Sequence, residues 1–312
     1  MRWRMLALMT GSQVGGAIVQ QGLGSLAPVL LVTFALSKTQ LGTVFTALAI
    51  GSAPFTTLAG VIVDRYGERV VTLWGGVLLG ATLLAASAVA SYPWLVACIF
   101  LFGISYAAQT PAGGRAVRSP RTMLFTLACM VLVSGQTIMN AFFAITAVAD
   151  VHVSATLAAA AFTFAQMCAV AGRVVWGKLS DTLFRGDRAL PIAAIGAILA
   201  ACAWTIAHIA PGAVPELFIV GGLLGFSASS WNGVMATAMA EIGGPEYAGS
   251  VLGVALTFIF AAAGAAPLLF GSLADARTLG TAWTALAIAA AIGILPALGA
   301  AYLARRDAAP VG

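Results

Sequence analysis

Polar positions in this chain are scarce and clustered. Between them lie ten apolar runs, near residues 5–35, 41–63, 70–91, 94–114, 122–147, 155–177, 189–209, 216–240, 248–273 and 281–304. A helix needs ~20 mostly apolar residues to cross the hydrocarbon core of a bilayer, and each run meets that requirement. The breaks carry turn or charge signals, among them Ser37-Lys38-Thr39, Ser91-Tyr92-Pro93, Pro211-Gly212 and Gly243-Gly244-Pro245. The pattern predicts an all-α integral membrane protein with about ten transmembrane helices. Spaced small residues (Gly76/Gly80, Gly221/Gly225, Gly249/Gly253) are expected to let helix backbones approach closely.

Composition strengthens this expectation. The chain is 61% hydrophobic and 8% charged, with a mean hydropathy of +1.01, far from the ~25% charge of a soluble domain. The lipid bilayer is therefore the expected partner. The net charge of +5 implies no nucleic acid, because the basic residues sit at the ends of apolar runs and form no patch. They do set orientation. With a cytoplasmic N-terminus, the inside segments hold twelve Lys/Arg and the outside segments only Lys38 and Arg277, so both termini are expected in the cytoplasm. The start, MRWRMLALMTGSQVGG, is interrupted by Thr10, Ser12 and Gln13 and is expected to be a retained first helix, not a cleaved signal. Cys98, Cys129, Cys168 and Cys202 stand alone in apolar runs and are expected to be packed thiols; no metal or cofactor is implied.

Two charged stretches interrupt the pattern. GVIVDRYGER at 60–69 follows the second run, with Gly60, Asp64, Arg65, Gly67 and Arg69 in the order G-x-x-x-D-[RK]-x-G-x-[RK]. GKLSDTLFRGDR at 177–188 is a looser echo that keeps Gly177 and Asp181, with basic residues at Arg185 and Arg188. The paired stretches resemble the loop signature of the major facilitator superfamily. The segments TIMNAFF, AGRVVWGKLSD and WNGVMATAMAEIGGPEYAGSVLG resemble the second half of such transporters. The resemblance implies two six-helix halves around a central substrate cavity, in the inner (plasma) membrane of a bacterium.

The spacing departs from that pattern. In the family six helices separate the twin loops, but Asp64 and Asp181 are only 117 residues apart, which leaves room for four. The fourth run ends QTPAGGRAV and the next begins RSPRTMLFTLACM; these look like the end of family helix 4 and the approach to family helix 7. The expectation is a bundle of four plus six helices lacking family helices 5 and 6, divided into residues 1–117 and 118–312, with the join near Val117-Arg118.

The resemblance assigns the charged stretches to a conformational latch. Asp64 is expected against the N-terminus of family helix 11, near Ala248-Gly249-Ser250, with Arg69 and Arg115 as basic partners. Asp181, Arg185 and Arg188 are expected to make the matching contact towards family helix 5, which leaves Asp181 without that partner if the helix is absent. Arg173 is expected to snorkel or to pair with Asp181. Uncharged polar residues at mid-depth are the substrate-cavity candidates: Gln20, Gln21, Tyr106, Gln109, Gln136, Asn140, Gln166, Trp231 and Asn232. Amides and an indole suit a neutral or amphipathic solute. No cluster resembles a nucleophile–base or metal site at depth, so an enzyme is not expected. The expected function is secondary transport of a small-molecule substrate (organic anion, metabolite or drug-like molecule), with or without a coupling proton or ion, by alternating access. The alternative is an internally deleted, non-transporting remnant.

Overall fold

The computed structural model describes residues 23–66, 68–107 and 119–308; the side chains of 53, 54, 56–61, 63–66, 68, 69, 72, 245–250, 307 and 308 fall outside that description. The described elements are helices: α1 (Ala27–Thr33), α2 (Lys38–Tyr66), α3 (Glu68–Ser87), α4 (Tyr92–Ala107), α5 (Pro120–Ala149), α6 (Ala155–Thr182), α7 (Ala189–Ala207), α8 (Val214–Ala228), α9 (Asn232–Ala276) and α10 (Leu279–Ala308). Among the described residues, six spans from Pro120 onward are long and apolar enough to cross a membrane, and Leu73–Ser87 and Tyr92–Ala107 are shorter apolar helices.

Local chemistry sets the helix boundaries. Ser119 accepts a hydrogen bond from the Thr122 amide (3.1 Å) ahead of Pro120 at the first helical position of α5. Ser154 does the same for Leu157 at α6 (3.2 Å). Each side chain satisfies one of the amides that the first turn leaves unpaired. After α6 the chain reverses through two consecutive positive-φ residues, Arg185 (52°) and Gly186 (82°). Asp187 then caps α7 by accepting from the amides of Ala189 (2.9 Å) and Leu190 (3.1 Å).

One departure from the expected spans matters for the site. The run near 216–240 is not one helix: it breaks at Ser229–Trp231, between α8 and α9. The break expected at Gly243-Gly244-Pro245 is present: Gly244 takes a non-helical φ of 61° and ψ of −172° and divides α9 into two limbs, with candidate spans ending at Gly244 and resuming at Val251. Proline cannot donate to the preceding turn, and glycine absorbs the resulting change of direction.

Buried apolar residues form two clusters. The larger lies mainly within α5–α10 and includes Phe142, Phe143, Trp231 and Trp283. The smaller is made by α2, α3 and α4, through Val44, Leu48, Leu79, Leu95, Ile99 and Phe102. Helix α2 belongs to both. Its Leu41, Phe45 and Ala49 face the large cluster, whereas Val44, Ala47 and Leu48 face the small one. These sets recur at three- and four-residue spacing, so they occupy different faces of one helix.

The most extensive helix pairing is α2 with α9. Close to the Lys38 end their backbones nearly touch: a Cβ at Gly271 would overlap the carbonyl of Lys38, and one at Gly42 would lie 2.5 Å from that of Pro267. Thr46 donates its hydroxyl to the Gly264 carbonyl. A second tight crossing joins α6 and α8, where a Cβ at Gly225 would overlap the Ala165 carbonyl. The expected role therefore holds for Gly225, whereas Gly221 makes room for the Phe143 ring of α5. Gly76 and Gly80 have open space around them and mediate no crossing among the described residues; the side-chain surroundings of Gly249 lie outside the description. Cys129 and Cys202 are buried free thiols, and Cys98 and Cys168 are half-buried ones.

Candidate functional site

A cavity of about 480 Å³ lies where the two apolar clusters meet. Helix α2 supplies Phe45, Leu48, Ala49 and Ser52; α4 supplies Tyr106; α5 supplies Gln136, Thr137 and Asn140; α6 supplies Arg173. Trp231 and Asn232 come from the break between α8 and α9, and Leu252, Leu256, Ile259 and Phe260 from the far limb of α9. The volume lies within the ~300–1,000 Å³ typical of small-molecule sites. The wall is apolar with a few convergent polar groups, and none of its described lining residues is an Asp or Glu.

The helix break organises those polar groups. In an unbroken helix the Phe226 carbonyl would accept from the Ser230 amide, but that amide bonds to Ser227 (3.0 Å). The freed carbonyl of Phe226 accepts from the Trp176 indole instead (2.8 Å). One turn earlier on α6, Arg173 donates its Nε–H to the Ser229 carbonyl at 3.4 Å. The Ser230 hydroxyl lies 3.0 Å from the Ala169 carbonyl and 3.1 Å from that of Gly225. Thus α6 satisfies an interruption that bare lipid could not. Gly172 makes the approach feasible, because a Cβ there would overlap the Phe226 carbonyl and the Ser230 hydroxyl.

The break turns Trp231 inward, where it is 1% exposed and donates its indole N–H to Gln136 Oε1 (3.1 Å). Asn140, one turn along α5, accepts from Gln166 Nε2 at 3.1 Å. Of the expected cavity residues, Tyr106, Gln136, Asn140, Trp231 and Asn232 therefore converge on one space. Gln166 does not line it but holds Asn140 from behind. Gln20, Gln21 and Gln109 lie outside the described residues. Arg173 is an addition to the expected cavity set, and its placement corrects the expectation that it snorkels or pairs with Asp181. Asp181 lies eight residues further along α6, roughly 12 Å at 1.5 Å per residue, and another arginine reaches it first. The charged group in an otherwise apolar stretch of α6 was the signal that could have found Arg173.

Beyond the cavity-lining stretches of α2 and α9, the two helices meet in a seam near Lys38 and Asp275. Asp275 accepts from the amides of Lys38 (3.2 Å) and Thr39 (2.7 Å) and from the Thr39 hydroxyl (2.6 Å). At the opposite end, Arg188 bridges Asp181, Ser180 and Glu241. Its Nε lies 3.1 Å from each Glu241 oxygen, and a terminal nitrogen 2.7 Å from Oε1. The Glu241 hydrogen bonds raise the arginine's pKa further, so it is a permanent cation that holds α6, the α7 cap and α9 together.

The Major Facilitator Superfamily model matches residues 9–119. The 3-(3-hydroxyphenyl)propionate transporter of Escherichia coli (strain K12) is 30% identical over 107 residues, which is 34% of this chain and 25% of that one. An uncharacterized MFS-type transporter of Mycobacterium tuberculosis is 32% identical over 136 residues, 43% of this chain and 30% of that one. The matches thus span only a quarter to a third of these relatives' lengths. Among solved structures, the nucleoside transporter NupG superposes with a TM-score of 0.71 at 13% identity, covering 95% of this chain and 98% of that one. A bacterial homolog of the human lysosomal transporter Spinster, in an inward-facing and occupied conformation, gives 0.72 at 14%, covering 98% and 97%. The chain is thus similar to this superfamily over residues 9–119, and to these transporter structures in fold.

In the second charged stretch Asp181 pairs with Arg188, which also holds Glu241, and Arg185 takes part in the backbone reversal. Gly177 has open space around it, with nothing within 4 Å of the point a Cβ would occupy. For the first stretch, Gly67 and Arg115 lie outside the described residues, as do the side chains of Asp64, Arg65 and Arg69 and the surroundings of Gly60.

Proposed function

We propose that this chain is a secondary transporter of a small solute that works by alternating access. The observation that carries this reading is the cavity at the junction of the two apolar clusters, with the α2–α9 seam beyond it. With twelve Lys/Arg at the opposite end against two at this one, the seam faces the periplasm, so the described state is closed outward. A helix interrupted at the cavity wall is what alternating-access carriers use to bring backbone and side-chain polar groups to a midplane site.

The division into residues 1–117 and 118–312, with family helices 5 and 6 absent, belongs to the same proposal. The chain passes from α4 to α5 in the twelve residues between Ala107 and Pro120, yet its superposition on NupG reaches across 98% of that chain. Along α6, Phe164, Met167, Val170 and Val174 form an exposed apolar stripe (43%, 67%, 64% and 72%). Gly177 continues the stripe with empty space around it, as expected where neighbouring helices have been lost.

The test is uptake by the full chain in proteoliposomes, with radiolabelled 3-(3-hydroxyphenyl)propionate as the first probe, after the relative that carries that name. Cysteines replacing Thr39 and Asp275 provide the control. Uptake that a disulfide across the seam blocks and a reductant restores supports the carrier. Insertion without uptake, in a chain that still folds, favours the non-transporting remnant.

A further inference from the structure

Three polar groups on the cavity wall share a common sign. A tryptophan indole can only donate, so its bond to Gln136 requires the amide oxygen of Gln136 to face Trp231. The two N–H groups of that amide are then directed away from the indole, on a residue that lines the cavity. Asn140 accepts with its oxygen from Gln166 Nε2, which leaves its amide nitrogen as the available end. Arg173 adds a guanidinium. One of its N–H groups reaches the Ser229 carbonyl, and among the described residues no carboxylate lies within ion-pair distance of it. These groups therefore present donors and a positive charge, and none of the described lining residues is acidic.

Such a set is poorly matched to a neutral solute. An arginine held within a membrane span without a described counter-ion is costly in low dielectric, and an anion that shares the guanidinium and the two amides relieves that cost. We propose that the cavity is a receptor site for an organic monoanion. Its carboxylate (or similar oxyanion) meets Arg173, Gln136 and Asn140, and its apolar body lies against Trp231, Phe45 and Phe260. This rests on the carrier reading for the route of entry, but binding itself requires no transport. The amides and indole that alone favoured a neutral solute act, once Arg173 joins them, as the oriented donors of an anion site.

The experiment is isothermal titration of the purified full chain in neutral detergent with benzoate and with benzamide, which match in shape and differ in charge. Benzoate is expected to bind at least about tenfold more tightly, the value of one charge-assisted hydrogen-bonded contact. Arg173→Gln should abolish that preference and Arg173→Lys should retain part of it. Short-chain phosphatidylglycerol is titrated in parallel. If it alone binds in an Arg173-dependent manner, the occupant is a lipid headgroup and the solute proposal is overturned. Equal binding of benzoate and benzamide by the unmodified chain, or no binding of benzoate, also overturns it, whether or not either variant folds. Benzoate binding without uptake leaves the anion site standing and removes the carrier; uptake that Arg173→Gln leaves unchanged does the reverse.

Discussion

Asp275, at the C-terminal end of α9, caps the first turn of α2 through Thr39, 236 residues away, with contacts of 2.7 Å to its amide and 2.6 Å to its hydroxyl. A helix start normally finds its cap within its own sequence, and Ser37 lies at the right position. Its hydroxyl does reach the Gln40 amide at 3.1 Å. The amides of Lys38 and Thr39 are satisfied from α9, so this part of the α2 cap forms only while the seam is closed.

Removing that cap should open the seam. An N-cap contributes ~1 kcal/mol, so Asp275→Ala is expected to shift the balance about fivefold towards a state open at this end. Leu41 is fully buried here. In a background without the native cysteines, a cysteine replacing Leu41 should react faster with a maleimide when Asp275→Ala is present. Asp64→Asn at the other end should shift the population the opposite way and slow that reaction. Unchanged labelling in both variants would exclude a gating role for these carboxylates.

Arg188 is expected to matter for stability. Its side chain is 13% exposed while those of Asp181 and Glu241 are 64% and 48% exposed, so water partly compensates the acids but not the arginine. Arg188→Ala should cost about 2 kcal/mol through lost charge-assisted bonds. Arg188→Lys should recover only part, because an ammonium cannot make the forked contact to Glu241. The readout is the detergent melting temperature, which should order as unmodified, lysine, then alanine.

The α6–α8 crossing should tolerate no side chain at Gly225. A methyl there overlaps the Ala165 carbonyl, a backbone atom that cannot rotate away, so Gly225→Ala is expected to cost about 1–3 kcal/mol or more. Gly76→Ala, with open space around it, serves as the control and should be neutral or slightly stabilising in its helix. Equal melting temperatures for the two variants would refute the crossing.

Asp150 supplies a pH signature. Burial raises its pKa above the ordinary 3.8, against the opposing charges of Lys38 and His152. A raised carboxylate pKa means that its contribution to stability is fully present below the ordinary value and is lost as pH rises through the folded-state value. Asp150→Asn mimics the protonated form at every pH. The variant should match the unmodified chain in melting temperature at pH below 3.8 and exceed it at neutral pH, and a gap that narrows towards neutrality would contradict the assignment.

Much of the fold was legible in the residues. Span positions follow from where a bilayer excludes charge, and boundaries such as Ser119-Pro120 and Ser154 carry their own capping chemistry. Of the cavity, Tyr106, Gln136, Asn140, Trp231 and Asn232 were recognisable as uncharged polar groups in apolar runs, because lipid offers such groups no other partner. Gln166 carried the same signal, yet it supports Asn140 without lining the space. Sequence reports that a polar group needs a partner, but not which partner it finds.

The chain by itself therefore determined the helices, their order and the resemblance to a transporter family, because apolar length, capping residues and the paired loop motif are local properties. The tertiary structure alone decided three things. Arg173 bonds to the broken turn at Ser229 and faces the cavity, whereas Arg188 reaches Asp181 and Glu241. The start of α2 takes its cap from Asp275. The Gln136 amide turns its donors away from Trp231. Apart from the short-range Arg188–Asp181 pair, each depends on contacts between residues far apart in the chain, and no local pattern encodes them.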